Sequence, residues 1–145
     1  LHGQVAMAWN QILGSDCILI ANDSVPGDEV RKAGIKLAKP QNTKLVIKNL
    51  EDSVKALKSG VTDKYHLFIV VESVADVYFL AKETGMIKSI TLGGVKSREN
   101  TTQISKAVFV TEDEKSKLKE LIESGLEVEI RQVPSDTKIM AKDVI

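Results

Sequence analysis

Short apolar runs alternate with amphipathic stretches along the whole chain. Apolar residues spaced three and four apart are typical of a helix with one buried face, and short runs rich in β-branched residues are typical of strands. The stretches that predict helices are residues 4–13, 28–38, 50–59, 74–84 and 111–124. The runs that predict strands are residues 17–21, 43–48, 67–71, 87–92, 106–110 and 126–133.

The last predicted helix has the clearest boundaries. Thr111 and Glu114 have the spacing of a capping box, in which each side chain accepts a hydrogen bond from the other residue's backbone N–H. Gly125 is a suitable C-terminal stop.

The alternation of strands and helices predicts an α/β fold. Parallel strands joined by right-handed helical crossovers give this order of elements. We therefore expect residues 1–145 to form a single three-layer domain, with a mostly parallel central sheet, helices on both faces and room for an antiparallel edge near the C-terminus. Ligands of such sheets bind beyond the carboxyl ends of the strands, where this sequence has Asn22-Asp23, Glu72-Ser73 and Gly93-Gly94.

Charge and composition narrow the classes of function. The 20 basic and 20 acidic residues cancel, so no overall field draws the chain to nucleic acid or to an anionic membrane. The single cysteine excludes an internal disulfide and suits a reducing compartment. No apolar stretch approaches the roughly 20 residues that span a bilayer.

The common motifs for metals and nucleotides are missing from the sequence. It contains no C-x-x-C and no H-x-x-x-H pair. Neither G-x-x-x-x-G-K-S/T nor G-x-G-x-x-G follows any predicted strand. We therefore expect no metal and no cofactor.

His2, Gly3 and Gln4 stand immediately before the first predicted helix. The free backbone N–H groups and the positive end of the macrodipole favour an anion at a helix N-terminus. If His2 took up a phosphoryl group, Gly3 would let the backbone approach it closely and Gln4 could donate a hydrogen bond. The alternative is a terminal histidine without a function, and the residues alone favour that alternative.

Two further segments are candidates for the same kind of site. Gly93-Gly94 could form a tight turn whose amides face an anion, with Ser97 and Arg98 adding contacts, or an ordinary turn at the end of a strand. Asn22-Asp23 could orient a histidine, fix a loop or simply form a turn.

Three other residues invite a chemical role that the sequence does not favour. Cys17 begins an apolar strand and is expected to be buried packing. His66 is expected at a strand edge without a catalytic role, and Arg131 as a solvated sheet residue that could still reach an anion.

Taken together, several motifs resemble the IIB components of the mannose/fructose/sorbose class of the bacterial phosphotransferase system (PTS). They occur in the order found in that family and cover nearly the whole chain. The motifs are Leu1-His2-Gly3-Gln4-Val5 with Trp9, Ala21-Asn22-Asp23-Ser24-Val25 with Asp28-Glu29, Leu92-Gly93-Gly94, Gln103–Val108, Val110-Thr111-Glu112 and Val128–Asp136.

The resemblance implies a phosphorylation relay with His2 as the carrier. A IIA protein or domain passes a phosphoryl group to the IIB histidine, on the ring nitrogen nearer the backbone. IIB then passes it to the sugar bound by the membrane IIC and IID subunits. Gly3 and Gln4 would hold the phosphate, and the segments Asn22-Asp23 and Gly93-Gly94 would form the rim. The resemblance implies a cytoplasmic location beside the membrane permease. It implies no nucleic-acid partner, and it is compatible with a homo-oligomer.

Two departures from the family pattern raise alternatives. The family has a strand before the histidine and an arginine three residues ahead of it, and this chain is expected to lack both. Glu72-Ser73-Val74 stands where relatives often have Thr, Asn and Pro, and Glu72 brings negative charge toward a phosphate site. A non-catalytic IIB-like module that binds a partner protein is therefore the main alternative, and a flavodoxin-like binder of small molecules is a weaker one.

Overall fold

The computed structural model describes residues 9–37, 39 and 42–145. The strands are β1 (Cys17–Ala21), β2 (Lys44–Lys48), β3 (Leu67–Val70), β4 (Ser89–Leu92), β5 (Thr102–Ser105), β6 (Val108–Val110), β7 (Glu127–Ile130) and β8 (Ile139–Met140). The helices are α1 (residues 9–13), α2 (Glu29–Leu37), α3 (Leu50–Ser59), α4 (Val74–Thr84) and α5 (Glu112–Glu123). Short 3-10 segments cover Val25–Gly27 and Ala141–Asp143. The chain divides after Glu72 into two compact units.

The first unit is built on a parallel sheet with β1 in the middle. The strand order is β2-β1-β3, and both pairings are parallel. All five residues of β1 are buried, as expected of a continuous apolar strand with neighbours on both sides. Ile18, Ile20 and Val70 form the core, and the partly buried residues that pack on them are Ile35, Leu45, Ile47 and Phe68.

Parallel register brings the carboxyl ends of these strands to one edge of the sheet. Ala21 of β1 pairs with Lys48 of β2, and Ile20 pairs with Val70 of β3. The backbone N–H of Asn22 continues the ladder by donating to the carbonyl of Lys48 at 3.0 Å. The polar residues after β1 and β3 are therefore neighbours.

The second unit combines parallel and antiparallel pairing. Strands β4 and β7 are parallel, while β8 pairs antiparallel with β7. Strands β5 and β6 form an antiparallel pair with an irregularity between Gln103 and Ser105. The predicted antiparallel edge near the C-terminus is thereby confirmed, as is the α/β class.

Helix α5 begins where its sequence pattern predicts. The Thr111 hydroxyl accepts from the Glu114 N–H at 3.1 Å, and the Glu114 carboxylate accepts from the Thr111 N–H at 2.9 Å. Leu118 and Leu121 face the interior of this unit and are fully buried. Tyr78 of α4 donates its hydroxyl proton to Glu120, and Lys82 lies 3.4 Å from the same carboxylate. A hydrogen bond and an ion pair therefore connect helices α4 and α5 at their exposed side.

Most predicted elements agree with the structure to within three residues. Two strands were missed: β5, because its sequence Thr-Gln-Ile-Ser has one apolar residue, and β8, because it is two residues long. The strand predicted over 126–133 ends at Ile130, since Val133 and Asp136 hydrogen-bond to each other in a turn. Residues 9–13 of the helix predicted over 4–13 are helical, and its first residues lie outside the described residues.

In the part of the chain that the structure describes, no helix combines the length and the apolar character needed to cross a bilayer.

Truncation of Leu118 to alanine should destabilise the protein. The side chain is 0% exposed, and Leu→Ala at such a site costs about 3 kcal/mol through lost burial and the cavity left behind. The matched control is Leu37→Ala, at a helical leucine that is 89% exposed, which should change stability by less than about 0.5 kcal/mol. Urea unfolding followed by circular dichroism measures both, and equal effects would contradict the assignment of the core.

Candidate functional site

The side chain of Asn22 organises the loop that follows β1. Its carbonyl oxygen accepts hydrogen bonds from the Ser24 N–H at 2.8 Å, the Ser24 hydroxyl at 2.8 Å and the Val25 N–H at 3.1 Å. This is a side-chain turn of the kind that asparagine favours. Asn22 is only 5% exposed and Val25 is buried, so the Val25 N–H is satisfied away from solvent and the loop is fixed.

The amide nitrogen of Asn22 reaches the end of the neighbouring strand. It donates to the Glu72 carboxylate at 2.5 Å, and Glu72 follows β3 by two residues. Oxygen and nitrogen of the amide have opposite hydrogen-bonding roles, so the loop donors on one side and the carboxylate on the other fix its orientation. A single buried amide therefore connects the carboxyl ends of β1 and β3.

Asp23 fixes the start of α3. Its carboxylate accepts from the backbone N–H of Leu50 at 3.0 Å, while the Asn49 side chain accepts from the Asp52 N–H at 2.7 Å. These are among the N–H groups that a helix N-terminus leaves without intrahelical partners. Of the roles considered for Asp23, the structure shows the fixing of a loop against a helix.

Arg31 completes the polar edge of the first unit, and the sequence did not identify it. Its guanidinium donates to the Ser24 hydroxyl at 3.0 Å, and its backbone N–H donates to the Asp28 carboxylate at 3.1 Å. The 3-10 segment Val25–Gly27 turns the chain back, so two residues seven positions apart meet. Arg31, Ser24, Asn22 and Glu72 thus form one chain of hydrogen bonds.

Gly93 and Gly94 correct one structural expectation. They follow β4 without forming a turn, and neither has a φ in the left-handed region. Instead the chain continues to Val95, whose N–H donates to the Ala107 carbonyl and whose carbonyl accepts from the Phe109 N–H, both at 2.9 Å. Bridging to a parallel strand keeps the backbone extended, which is why the expected tight turn does not form.

Arg98 anchors the loop after Gly93-Gly94 to the N-terminus of α5. Its guanidinium donates to the Glu114 carboxylate at 2.7 Å, the same group that completes the capping box. Burial of Glu114 opposes its charged form, but the hydrogen bonds from Arg98 and from the Thr111 N–H outweigh it and lower the pKa of this carboxyl. Arg98, considered for an anion, is therefore engaged in an ion pair.

The predicted site residues fall into three groups. Asn22 and Asp23 lie together at the strand ends of the first unit. Gly93 and Gly94 belong to the second unit. His2, Gly3 and Gln4 lie outside the described residues.

The other singled-out residues have ordinary surroundings. Cys17 is buried, as predicted, and burial raises the pKa of its thiol. His66 is exposed, and its backbone N–H donates to Asp16 at 2.8 Å. The Arg131 guanidinium lies 3.6 Å from the Glu129 carboxylate and 3.4 Å from the Pro134 carbonyl. Among the described residues, no group of three His, Cys, Asp or Glu side chains could hold a metal ion.

Comparison with known proteins identifies the class. The family model described as "PTS system sorbose subfamily IIB component" matches residues 1–145. The sorbose-specific EIIB component from Lacticaseibacillus casei is 31% identical over 98% of this chain and 88% of its own length. The mannose-specific EIIAB component from Escherichia coli is 30% identical over the whole chain, which spans 45% of that protein. The crystal structure of the IIBSor domain of the Klebsiella pneumoniae sorbose permease matches with a TM-score of 0.90 and 27% identity, over 99% of this chain and 88% of that one.

The fold and these matches define a component of the bacterial sugar phosphotransferase system, with a general role in phosphoryl transfer. The chain belongs to the sorbose subfamily of PTS IIB components. The resemblance drawn from the sequence motifs is therefore confirmed.

Replacing Asn22 with alanine should destabilise the first unit strongly. The change removes the acceptor of the Ser24 and Val25 N–H groups and the donor to Glu72. Val25 is buried, and a buried N–H left unpaired costs about 1–3 kcal/mol, to which the two part-buried bonds add. We expect a loss of about 3 kcal/mol in urea unfolding. Asp23→Ala is the matched control: it removes one bond, to Leu50, and should cost about 1 kcal/mol. If Asn22→Ala costs no more stability than Asp23→Ala, the Asn22 side chain does not hold the two strand ends together as described.

Replacing Glu114 with glutamine should reduce stability in a pH-dependent way. A carboxyl whose pKa is lowered by folding stabilises the protein fully above its ordinary value of 4.5, and this contribution disappears as the pH falls below that value. At neutral pH we expect a loss of about 1 kcal/mol, and below pH 4.5 the difference from wild type should shrink. Glu112→Gln, on the same helical turn but 84% exposed at its side chain, should show neither effect. A difference that is constant with pH would rule out the charged interaction.

Proposed function

We propose that this protein is a IIB phosphocarrier in which His2 accepts a phosphoryl group from a IIA phosphohistidine and passes it to a sugar. The sugar is the one translocated by the membrane IIC and IID subunits. The observation that supports the proposal most is the family match, which runs over residues 1–145 and so includes His2 and its neighbours.

The chemistry of histidine suits this role. An imidazole with an ordinary pKa of about 6.5 is largely neutral near pH 7 and is then a nucleophile. The nitrogen lone pair of His2 forms a bond to phosphorus while the N–P bond on the IIA histidine breaks, and the electron pair of that bond returns to the IIA imidazole. Since one imidazole replaces another, the step is nearly balanced in free energy and runs in both directions.

The second transfer consumes the phosphohistidine. A sugar hydroxyl oxygen bonds to phosphorus, the N–P bond at His2 breaks, and the hydroxyl proton passes to the released imidazole. Phosphoryl transfer proceeds through a loose transition state in which positioning and charge stabilisation supply most of the catalysis. We assign that role to the backbone N–H groups of Gly3 and Gln4, without a metal or cofactor.

In this proposal Asn22 and Asp23 form part of the rim around the phosphate on His2. Their side chains are fixed by hydrogen bonds to Glu72 and to the start of α3. A rim that does not have to reorganise favours a charged transition state. The assignment of Gly93 and Gly94 to the rim stays a prediction.

The partners follow from the same proposal. The Escherichia coli relative carries both letters, A and B, in its name, which supports a IIA protein or domain as the phosphoryl donor. The solved Klebsiella structure is a domain of a sorbose permease, which supports a membrane permease as the receiving partner, with this chain beside it on the cytoplasmic side.

Phosphoryl labelling tests the proposal. Wild-type protein incubated with the upstream relay proteins and labelled phosphoenolpyruvate should acquire an acid-labile, base-stable label. His2→Ala should remove the label, because it removes the nucleophile, while folding measured by circular dichroism is retained. His66→Ala is the matched control at the other histidine and should label like wild type.

Two outcomes would contradict the proposal. Full labelling of His2→Ala would mean that another residue carries the phosphoryl group. A wild-type protein that never labels, although the relay is active toward a known IIB component, would favour the non-catalytic module.

A further inference from the structure

We propose that a cavity in the first unit binds a small zwitterion with an apolar body, of which the branched-chain α-amino acids are the simplest examples. The inference rests on this unit alone. Asn22, which lines the cavity, is also a rim residue of the proposed phosphoryl-transfer site, but the inference does not require phosphoryl transfer to occur. It follows from the shape of the cavity, its apolar floor and two opposite charges on its border.

The cavity lies at the carboxyl ends of β1 and β3, against α2. Its volume is about 260 Å³. Cavities that accept drug-sized ligands measure roughly 300–1,000 Å³, so this one suits a metabolite of amino-acid size. Open α/β sheets bind ligands at this edge.

The floor of the cavity is apolar. Ile20 of β1, Val70 of β3 and Ile35 of α2 line it, and all three belong to the core of this unit or pack against it. A branched aliphatic group placed there would be removed from water, which favours binding. A sugar, which has hydroxyl groups on every side, would leave them without partners on this floor.

The border of the cavity carries one cation and one anion. Arg31 and Glu72 both line it. The hydrogen bonds through Ser24 and Asn22 connect them, so they border one space rather than two separate surfaces. Each of these hydrogen bonds uses only part of the group's capacity, because a guanidinium has five N–H donors and a carboxylate about four acceptor sites.

The charges of Arg31 and Glu72 favour a ligand that carries one negative and one positive group. A free anion such as phosphate would be attracted by Arg31 but repelled by Glu72, and a free cation would meet the reverse. A zwitterion presents its carboxylate to Arg31 and its ammonium to Glu72, and both contacts are charge-assisted hydrogen bonds. An α-amino acid with an aliphatic side chain therefore satisfies the border and the floor together.

Gly34 keeps the cavity open on the side of α2. It lines the space, and a Cβ added at this position would meet no atom within 4 Å. Gly34 is exposed, so a larger side chain can be introduced at this lining position without a clash. Ala33, the preceding residue on the same helix, is exposed and does not line the cavity, which provides a matched control.

Isothermal titration calorimetry with the wild-type protein tests the charge requirement first. L-Leucine should bind with a dissociation constant on the order of 1 mM. L-Leucinamide lacks the carboxylate and 4-methylpentanoate lacks the ammonium, so each should bind at least about tenfold more weakly. Because these comparisons use only wild-type protein, they do not depend on how a variant folds.

Two pairs of variants then locate the site. Gly34→Leu should abolish leucine binding by filling the cavity, whereas Ala33→Leu should leave it unchanged. Glu72→Gln keeps an acceptor for Asn22 but loses the charge and should weaken binding about tenfold, whereas Lys55→Gln on α3, an exposed residue, should not.

Three results would overturn the proposal. The first is the absence of saturable binding of leucine, valine or isoleucine to the wild-type protein. The second is equal affinity for leucine, leucinamide and 4-methylpentanoate, which would exclude the charged border as the determinant. The third is unchanged leucine binding by Gly34→Leu, which would place the ligand elsewhere.

Discussion

The buried side-chain amide of Asn22 is the constraint on which the polar edge of the first unit depends. Its oxygen holds the loop after β1 and its nitrogen holds Glu72 after β3. Parallel pairing alone fixes the strands but not the segments that leave them. Because the amide is buried and hydrogen-bonded through both its oxygen and its nitrogen, an altered loop would leave polar groups unpaired, which costs more than such bonds contribute on their own.

The same constraint determines where charge is found at this edge. Ser24 is held by Asn22 and in turn receives the Arg31 guanidinium, while Glu72 is held from the other side. A cation and a carboxylate are therefore kept at fixed places beside a cavity with an apolar floor. Glu72 is thus a hydrogen-bonded part of the loop structure rather than an isolated negative charge.

The sequence predicted the alternating elements because continuous apolar runs such as β1 and the capping box of α5 are local signals. It could not predict β5 or the extended path through Gly93-Gly94, since both depend on pairing with a partner strand. For the site, the tendency of α/β sheets to bind ligands beyond the carboxyl ends of their strands predicted Asn22, Asp23 and Glu72. Arg31 was missed because its contact with Ser24 requires the 3-10 segment between them, which no periodicity indicates.

Locating the phosphoryl group in the wild-type protein tests the proposal that His2 carries it. The two histidines fall in different tryptic peptides, residues 1–31 and 65–82. After phosphorylation by the relay, digestion and mass spectrometry under alkaline conditions should find the added phosphoryl group on the peptide 1–31. Its presence on the peptide 65–82, which contains His66, or on a peptide without histidine would contradict the account.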